Sequence, residues 1–408
     1  MAKKRANGEG SIYPYKEIFS AYVWVETPEG KRKRKYVYGS TREECHNNWI
    51  KAAAEAKKGP VATKTPTVDS FTDYWLKEIV KPTKAPLTYV YYENHSRLYI
   101  LPYIGKKTLV KLIVKVAREW LNGLVDVCQC CAQGKDAKRK TPKCCAIGEC
   151  CESWTTQSNL EGAHVTLSAM LTHAVNEELV GKNVASLIDI PKARNRRAKR
   201  KVLPWSSGEA QQYLQHAREQ DDALYAAWVL AVVMALRRGE ILGLTWDVLD
   251  LDAGKLRSQD QLQRVGAELL HRETKTEESD DFLPLPPIVV TALRIRKAQQ
   301  QADAKALGDR WKNKLNLVFT TKYGTPYEPS NVTRMFAARC KASGVRIIRM
   351  HDARHTSASL LVDLGVHPRI AMAILRHSKI DMTMEIYSHP TDEQVRKALE
   401  NLADAIFK

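Results

Sequence analysis

Long apolar runs are absent from this sequence. The longest uncharged apolar stretch, Ala223 to Leu236, is 14 residues, short of the roughly 20 that a membrane-spanning helix needs. It reads as a buried core helix. No apolar segment follows the opening Met-Ala-Lys-Lys-Arg, which argues against a secretory leader and for a cytosolic chain. Cysteine is scarce outside one cluster: seven of the nine lie within the 24 residues Cys128 to Cys151, so no disulfide framework spans the chain. Negative charge is in short supply as well. Against 46 acidic side chains stand 64 Lys and Arg, a net charge of +18, which calls for a polyanionic partner, nucleic acid first and an anionic membrane second. No internal repeat is apparent.

What is present fits a chain of several domains. Its 408 residues, 44 % hydrophobic and 27 % charged, exceed what one core supports and permit two or three. Residues 1–60 show period-two aromatic and β-branched positions at Ser11 to Tyr15, Phe19 to Glu26 and Lys31 to Tyr38, then a helical pattern from Thr41 to Lys58. This predicts a small βββα domain. Lys31, Arg32, Lys33, Arg34 and Lys35 run into Tyr36 and Tyr38, a pattern suited to a sheet laid into a DNA groove. An edge strand protected by lysines accounts for it equally well. After a Pro- and Thr-rich linker, residues 66–190 read as a helical domain, with amphipathic stretches around Phe71 to Val80, Val90 to Ile100, Val114 to Val125 and Ser158 to Leu179. The linker 191–203 carries Lys192, Arg194, Arg196, Arg197, Lys199, Arg200 and Lys201 and no acidic residue. It is either a solvated hinge or a phosphate-tracking strap. Residues 204–408 form the last and largest block.

The cysteine cluster, at 128–151, is an insertion in the helical domain. Its candidate ligands are Cys128, Cys131, Cys144, Cys145, Cys150 and Cys151, because zinc takes four thiolate or imidazole donors tetrahedrally. The spacing is not that of a standard finger, and an insertion with free or oxidised thiols is the other reading. Lys135, Lys138, Arg139, Lys140 and Lys143 inside the loop suit a DNA-contacting excursion stabilised by a structural metal.

Four scattered segments in the last block carry the main signal. In Leu236-Arg237-Arg238-Gly239-Glu240, Arg237 and Glu240 are three apart, so one helical turn lets the carboxylate orient the guanidinium. Lys275 in Glu273-Thr274-Lys275-Thr276 precedes an apolar strand. His351-Asp352-Ala353-Arg354-His355 sets His351 and Arg354 on one helical face, and Leu375-Arg376-His377-Ser378 is followed by Ile386-Tyr387-Ser388-His389. Taken singly, these read as a helix-end ion pair, an exposed lysine, a solvated helix start and a core tyrosine.

Together and in this order, over about residues 203–390, they resemble the tyrosine recombinases, the integrase family of phages and integrative elements. The resemblance implies a multidomain, mainly α protein with small β-sheets: an N-terminal βββα arm-binding-like domain, an α-helical core-binding domain and an α+β tyrosine recombinase catalytic domain. It assigns Tyr387 as nucleophile, with Arg237, Lys275, His351, Arg354 and His377 beside it and Glu240 orienting the arginine side. The implied activity is site-specific cutting and rejoining of DNA through a 3′-phosphotyrosyl link and a Holliday junction, to integrate or excise a mobile element. No cofactor is needed for that chemistry. Implied partners are double-stranded attachment sites, core and arm, a homotetramer on DNA, and accessory DNA-bending or directionality proteins, in a bacterial cytoplasm and without a membrane.

Against the family pattern, Asp280 and Asp281 stand where basic residues are frequent, and Arg376 and Ala235 where glycine is common. The tail Thr391 to Lys408 has Val395, Leu399, Leu402 and Ile406 at helical spacing, and the resemblance implies that it docks on a neighbouring protomer. Two other classes share the same residues: a non-catalytic architectural DNA-binding protein, and a type IB topoisomerase-like nicking and closing enzyme.

Overall fold

The computed structural model describes residues 12–26, 30–58, 66–195, 203–257, 259–273 and 282–376, with Met384, Arg396 and Glu400 beyond. The chain divides into two compact units, Met1–Ala198 and Lys199–Lys408.

The first unit opens with an antiparallel sheet, β1 (Tyr13–Tyr15), β2 (Ile18–Glu26) and β3 (Arg32–Gly39), in that order. The helix Arg42–Lys58 packs on it. Alternation sorts the side chains: Ala21 and Val25 are buried with Cys45 and Ala52, while Trp24 is exposed. Trp49 donates from Nε1 to the carbonyl of Tyr22 at 3.0 Å, pinning the helix to the middle strand.

The helical part of this unit starts at Val68–Tyr74, capped by the Thr67 hydroxyl, and winds on through a π-helical stretch, Trp75–Val80. A second helix, Pro86–His95, likewise passes into a π-helical stretch, Ser96–Ile100. These, with Val114–Gly123 and the long Gln157–Asn176, enclose one apolar core built around Phe71, Trp75, Ile100, Leu121, Leu160 and Leu167. The expected amphipathic stretches are all helical.

The second unit is organised around the helix Tyr225–Val232, every residue of which is buried. The uncharged run is therefore a core helix, as its length implied. Around it stand Ser207–Glu219, the 21-residue Pro287–Leu307, Pro329–Ala342 and Met350–Asp363. Between 249 and 284 the chain makes short strands: β4 (Leu249–Asp250), β5 (Lys255–Arg257) and β8 (Phe282–Pro284) form one sheet, and β6 (Asp260–Val265) with β7 (Glu268–Glu273) a hairpin. The hairpin sits against the short helix Arg238–Gly243. A Cβ on Gly243 would lie 2.6 Å from the Gln261 backbone, so only glycine permits that approach. No helix among the described residues is long and apolar enough to cross a membrane.

Candidate active site

The core helix stops because Ala235 takes φ +52, a left-handed conformation unfavourable for a residue with a Cβ. That turn aims the Ala235 carbonyl at Arg354, whose Nη1 donates to it at 2.7 Å. The chain then restarts as the helix Arg238–Gly243 with Arg237 as its N-cap, φ −71 and ψ 148. The spacing expectation of one shared helical turn is thus met differently. Arg237 stands just outside the helix, and Glu240 reaches back to its backbone N–H at 2.7 Å and its Nη1 at 2.8 Å.

Glu240 is the hub. It is 4 % exposed, and its second oxygen also accepts from Arg376. Burial works against its negative charge, but Arg376 and Arg237 outweigh that and hold the carboxyl below its usual range. Arg376 caps the helix Pro368–Leu375 with φ +48 and ψ 55, again left-handed. Leu375 packs with Ala235 and Ala358, and this small apolar contact brings the Arg376 turn beneath the Arg237 turn.

Arg354 comes from the helix Met350–Asp363 and is buried. Desolvation first, and then the charge of Arg237, push its pKa down to about 9, which still leaves it cationic at neutral pH. His351 stands one turn earlier and keeps an exposed face, with the His355 ring at 5.4 Å. Partial desolvation, then positive charge at His355 and Arg354, lower its pKa below the ordinary imidazole value of 6.5. Asp352 fastens the start of this helix by accepting from the Arg349 backbone and guanidinium.

Two arginines, Arg237 and Arg376, therefore share one carboxylate, with Arg354 held nearby on the Ala235 carbonyl. Among the described residues, Arg354 Nη2 and Arg376 Nε and Nη1 are buried without a partner. Buried donors left open in this way are costly, and a multidentate anion is the ligand that satisfies guanidinium forks. The structure brings together Arg237, Glu240 and Arg354, with His351 one turn away, and adds Arg376, which sequence reasoning noted only as a departure. Lys275, His377 and Tyr387 lie outside the described residues, as do Arg196, Arg197, Lys199, Arg200 and Lys201.

Strand alternation divides the basic run of β3. Trp24 pairs with Arg34 and Tyr22 with Tyr36, whereas Val25 pairs with Lys33 and Val23 with Lys35. Arg32 and Arg34 thus share the open face, where Arg34 lies 4.9 Å from the Trp24 ring and 4.7 Å from Tyr22, and Arg32 5.1 Å from Trp24. Lys33 and Lys35 belong to the helix side, and Lys31 precedes the strand. Arg194 stacks 4.5 Å over Trp154 and pairs with Asp126.

In the cysteine insertion, all nine cysteines of the chain being unbridged, the clustered sulfurs fall into two groups that could each hold a metal ion: Cys128, Cys131, Cys145 and Cys150, and Cys130, Cys144, Cys145 and Cys151. All six thiols expected from the sequence belong to one or other of these groups, and Cys130, not among them, joins the second. Asp136, itself buried, accepts from the backbone N–H groups of Lys143, Cys144 and Ala146. Burial would raise its carboxyl, but the N–H groups of Cys144, Lys143 and Ala146 prevail and hold it at about 2.

Comparison with known proteins turns this geometry into a class. The model of the phage integrase family matches residues 206–394, and that of the phage integrase N-terminal SAM-like domain matches residues 67–125, together more than half of the chain. The chain belongs to the phage integrase family, the tyrosine recombinases, and is a site-specific recombinase acting on DNA. It combines an N-terminal three-stranded sheet with its helix, a SAM-like helical domain and an integrase catalytic domain. A tyrosine recombinase XerC-like protein of Caldanaerobacter subterraneus subsp. tengcongensis is 26 % identical over 95 % of this chain and 96 % of its own length. An integrase of Streptomyces ambofaciens is 25 % identical over 100 % and 99 %. In fold the chain is similar to the Tn1549 transposon integrase solved with transposon right-end DNA, with TM-score 0.60 and 19 % identity over 83 % of this chain and 99 % of that one.

Proposed function

We propose that this recombinase integrates or excises a mobile element by transesterification at Tyr387. The phenolic oxygen attacks the scissile phosphorus, the bond to the 5′ oxygen breaks, and a 3′-phosphotyrosyl link forms. His351 takes the phenol proton as general base, Lys275 donates a proton to the leaving 5′ oxygen, and His377 donates to a non-bridging oxygen. Arg237 and Arg354 neutralise the two non-bridging oxygens as charge builds. Glu240 is a positioning residue. A free tyrosine of pKa about 10 is ionised to roughly one part in a thousand at pH 7, a deficit of about 4 kcal/mol that surrounding positive charge reduces. Rejoining reverses the step with a 5′-hydroxyl from another duplex, so the bond energy is stored covalently and strands are exchanged through a Holliday junction.

The observation that carries this reading is the convergence of Arg237 and Arg354 beside buried guanidinium N–H groups that have no partner among the described residues. The remaining assignments follow the same logic. Residues 1–60 bind arm-type sites through the Arg32 and Arg34 face, with Lys31, Lys33 and Lys35 adding charge. The helical domain 66–190 and catalytic domain 204–408 clamp the crossover core, and the linker 191–203 tracks phosphates through Arg194, Arg196, Arg197, Lys199, Arg200 and Lys201. Four protomers assemble on DNA by exchanging the tail after Tyr387. A structural zinc ion is held in the cysteine insertion by Cys128, Cys131, Cys145 and Cys150.

A nicked duplex carrying the crossover site tests the chemistry. Wild type is expected to become covalently trapped on it, with the adduct mapping to Tyr387, and Tyr387→Phe to give none. An adduct persisting in that variant overturns the assignment, and relaxation of supercoiled DNA without strand exchange favours the topoisomerase-like alternative.

A further inference from the structure

The cysteine sequence contains a regularity that one metal ion does not explain: three doublets, Cys130-Cys131, Cys144-Cys145 and Cys150-Cys151, preceded by Cys128. Neighbouring residues along a chain point in different directions, so a doublet can give one sulfur to each of two ions. Two of the three doublets are arranged in that way, while Cys144 and Cys145 both belong to the second group. Cys131 and Cys150 fall in one four-sulfur group and their neighbours Cys130 and Cys151 in the other, while Cys145 belongs to both. Within each group every sulfur lies within 4.8 Å of the others.

The spacings separate a metal site from disulfides. Cys128 and Cys145 are 3.9 Å apart and Cys131 and Cys150 3.8 Å in the first group, and Cys130 and Cys144 are 3.8 Å and Cys145 and Cys151 3.6 Å in the second. A disulfide requires about 2 Å. Two thiolates on one tetrahedral zinc ion, each bonded at about 2.3 Å, stand about 3.8 Å apart.

We infer that the insertion binds two zinc ions, each with four thiolates, the Cys145 sulfur bridging them. This rests on the zinc reading above and adds a second ion and a shared ligand. Each thiol loses its proton to solvent as its sulfur binds. Seven thiolates carry more negative charge than two divalent ions cancel, and the loop supplies the balance from Lys135, Lys138, Arg139, Lys140 and Lys143. Asp136 is the organising residue outside the ligand set. Buried within the loop, it fixes the backbone at Lys143, Cys144 and Ala146, the stretch that carries the bridging sulfur. The ends of the loop are closed independently by the antiparallel bridge of Cys128 with Trp154 and by the Gln129 N–H on the Ser153 carbonyl at 2.8 Å. Two ions and this closure together replace the hydrophobic core that so polar a loop lacks.

The test is elemental analysis of the full chain, reduced, loaded with zinc and desalted. The expected content is two zinc ions per chain, falling to about one in Cys130→Ser and in Cys131→Ser, which each remove a ligand from a different ion. Cadmium replacing zinc in the unaltered protein is expected to give two NMR resonances scalar-coupled to each other through the shared sulfur. One zinc per chain, unchanged in Cys130→Ser, overturns the second ion while leaving the single-zinc reading intact, and so do two uncoupled cadmium resonances for the shared ligand. No zinc on folded, reduced protein, or iron with inorganic sulfide in its place, overturns both.

Discussion

Arg376 and Ala235 both hold left-handed backbone, at φ +48 and +52, at a cost of roughly 1–2 kcal/mol each for a residue with a Cβ. Arg376 offsets its cost by compensating buried Glu240. Substitution there separates the two effects. Arg376→Ala is expected to destabilise the protein by about 2 kcal/mol or more, since it leaves the carboxylate with fewer donors and keeps the strain. Arg376→Gly should recover about 1 kcal/mol of that. Denaturant midpoints of the two variants read this out directly: equal midpoints would remove backbone strain from the account, and wild-type values for both would remove the ion pair. A second residue-scale prediction concerns pH. Because His351 is lowered below 6.5, it is largely neutral and able to accept a proton at neutral pH. The rate of the cleavage step should stay flat as pH falls through 7 and decline only below about 6.5, where the imidazole protonates. His351→Gln should be slower and lack that limb in single-turnover cleavage.

At the scale of elements, the N-terminal sheet shows how a run of like charges is sorted by a period of two. The five basic residues from Lys31 to Lys35 look equivalent in the sequence, yet only Arg32 and Arg34 lie on the face that carries Trp24, Tyr22 and Tyr36. Their guanidiniums are preorganised on aromatic rings, so less side-chain freedom is lost when they meet phosphate. Replacing Arg32 and Arg34 together by alanine is expected to weaken binding to arm-type DNA and make its salt dependence shallower by about 2 in log–log slope. The Lys33 and Lys35 pair should have the smaller effect. Binding isotherms at several salt concentrations decide it, and equal slopes for the two pairs would show that charge alone, not the face, is recognised. The strand pattern was legible from Ile18 to Tyr38 because alternation is a local property. The break in the core helix after Val232 was not, because it depends on Ala235 accepting strain that Arg354 and the packing of Leu375 repay from distant parts of the chain.

At the scale of the molecule, the excess of positive charge indicated a polyanionic partner, and the ordered catalytic segments indicated its chemistry before any fold was known. Those segments are separated by long stretches of sequence, from Arg237 to Arg354 in the described part. What unites them is the packing of the helices Tyr225–Val232, Arg238–Gly243, Met350–Asp363 and Pro368–Leu375. The cysteine insertion shows the same relation. Its doublets were visible in the chain, but which sulfur joins which depends on the loop folding back over Asp136.

The sequence by itself determined the residue types, their order, the periodicities that make strands and helices, and the family they belong to, because each is carried by spacing along the chain. Tertiary structure decided that Glu240 serves Arg237 and Arg376 at once, that Arg354 and Arg376 keep donors with no partner among the described residues, and that Cys145 is common to two groups of sulfurs. These are distances between residues far apart in the chain or on opposite sides of a turn, and only the packed backbone fixes them.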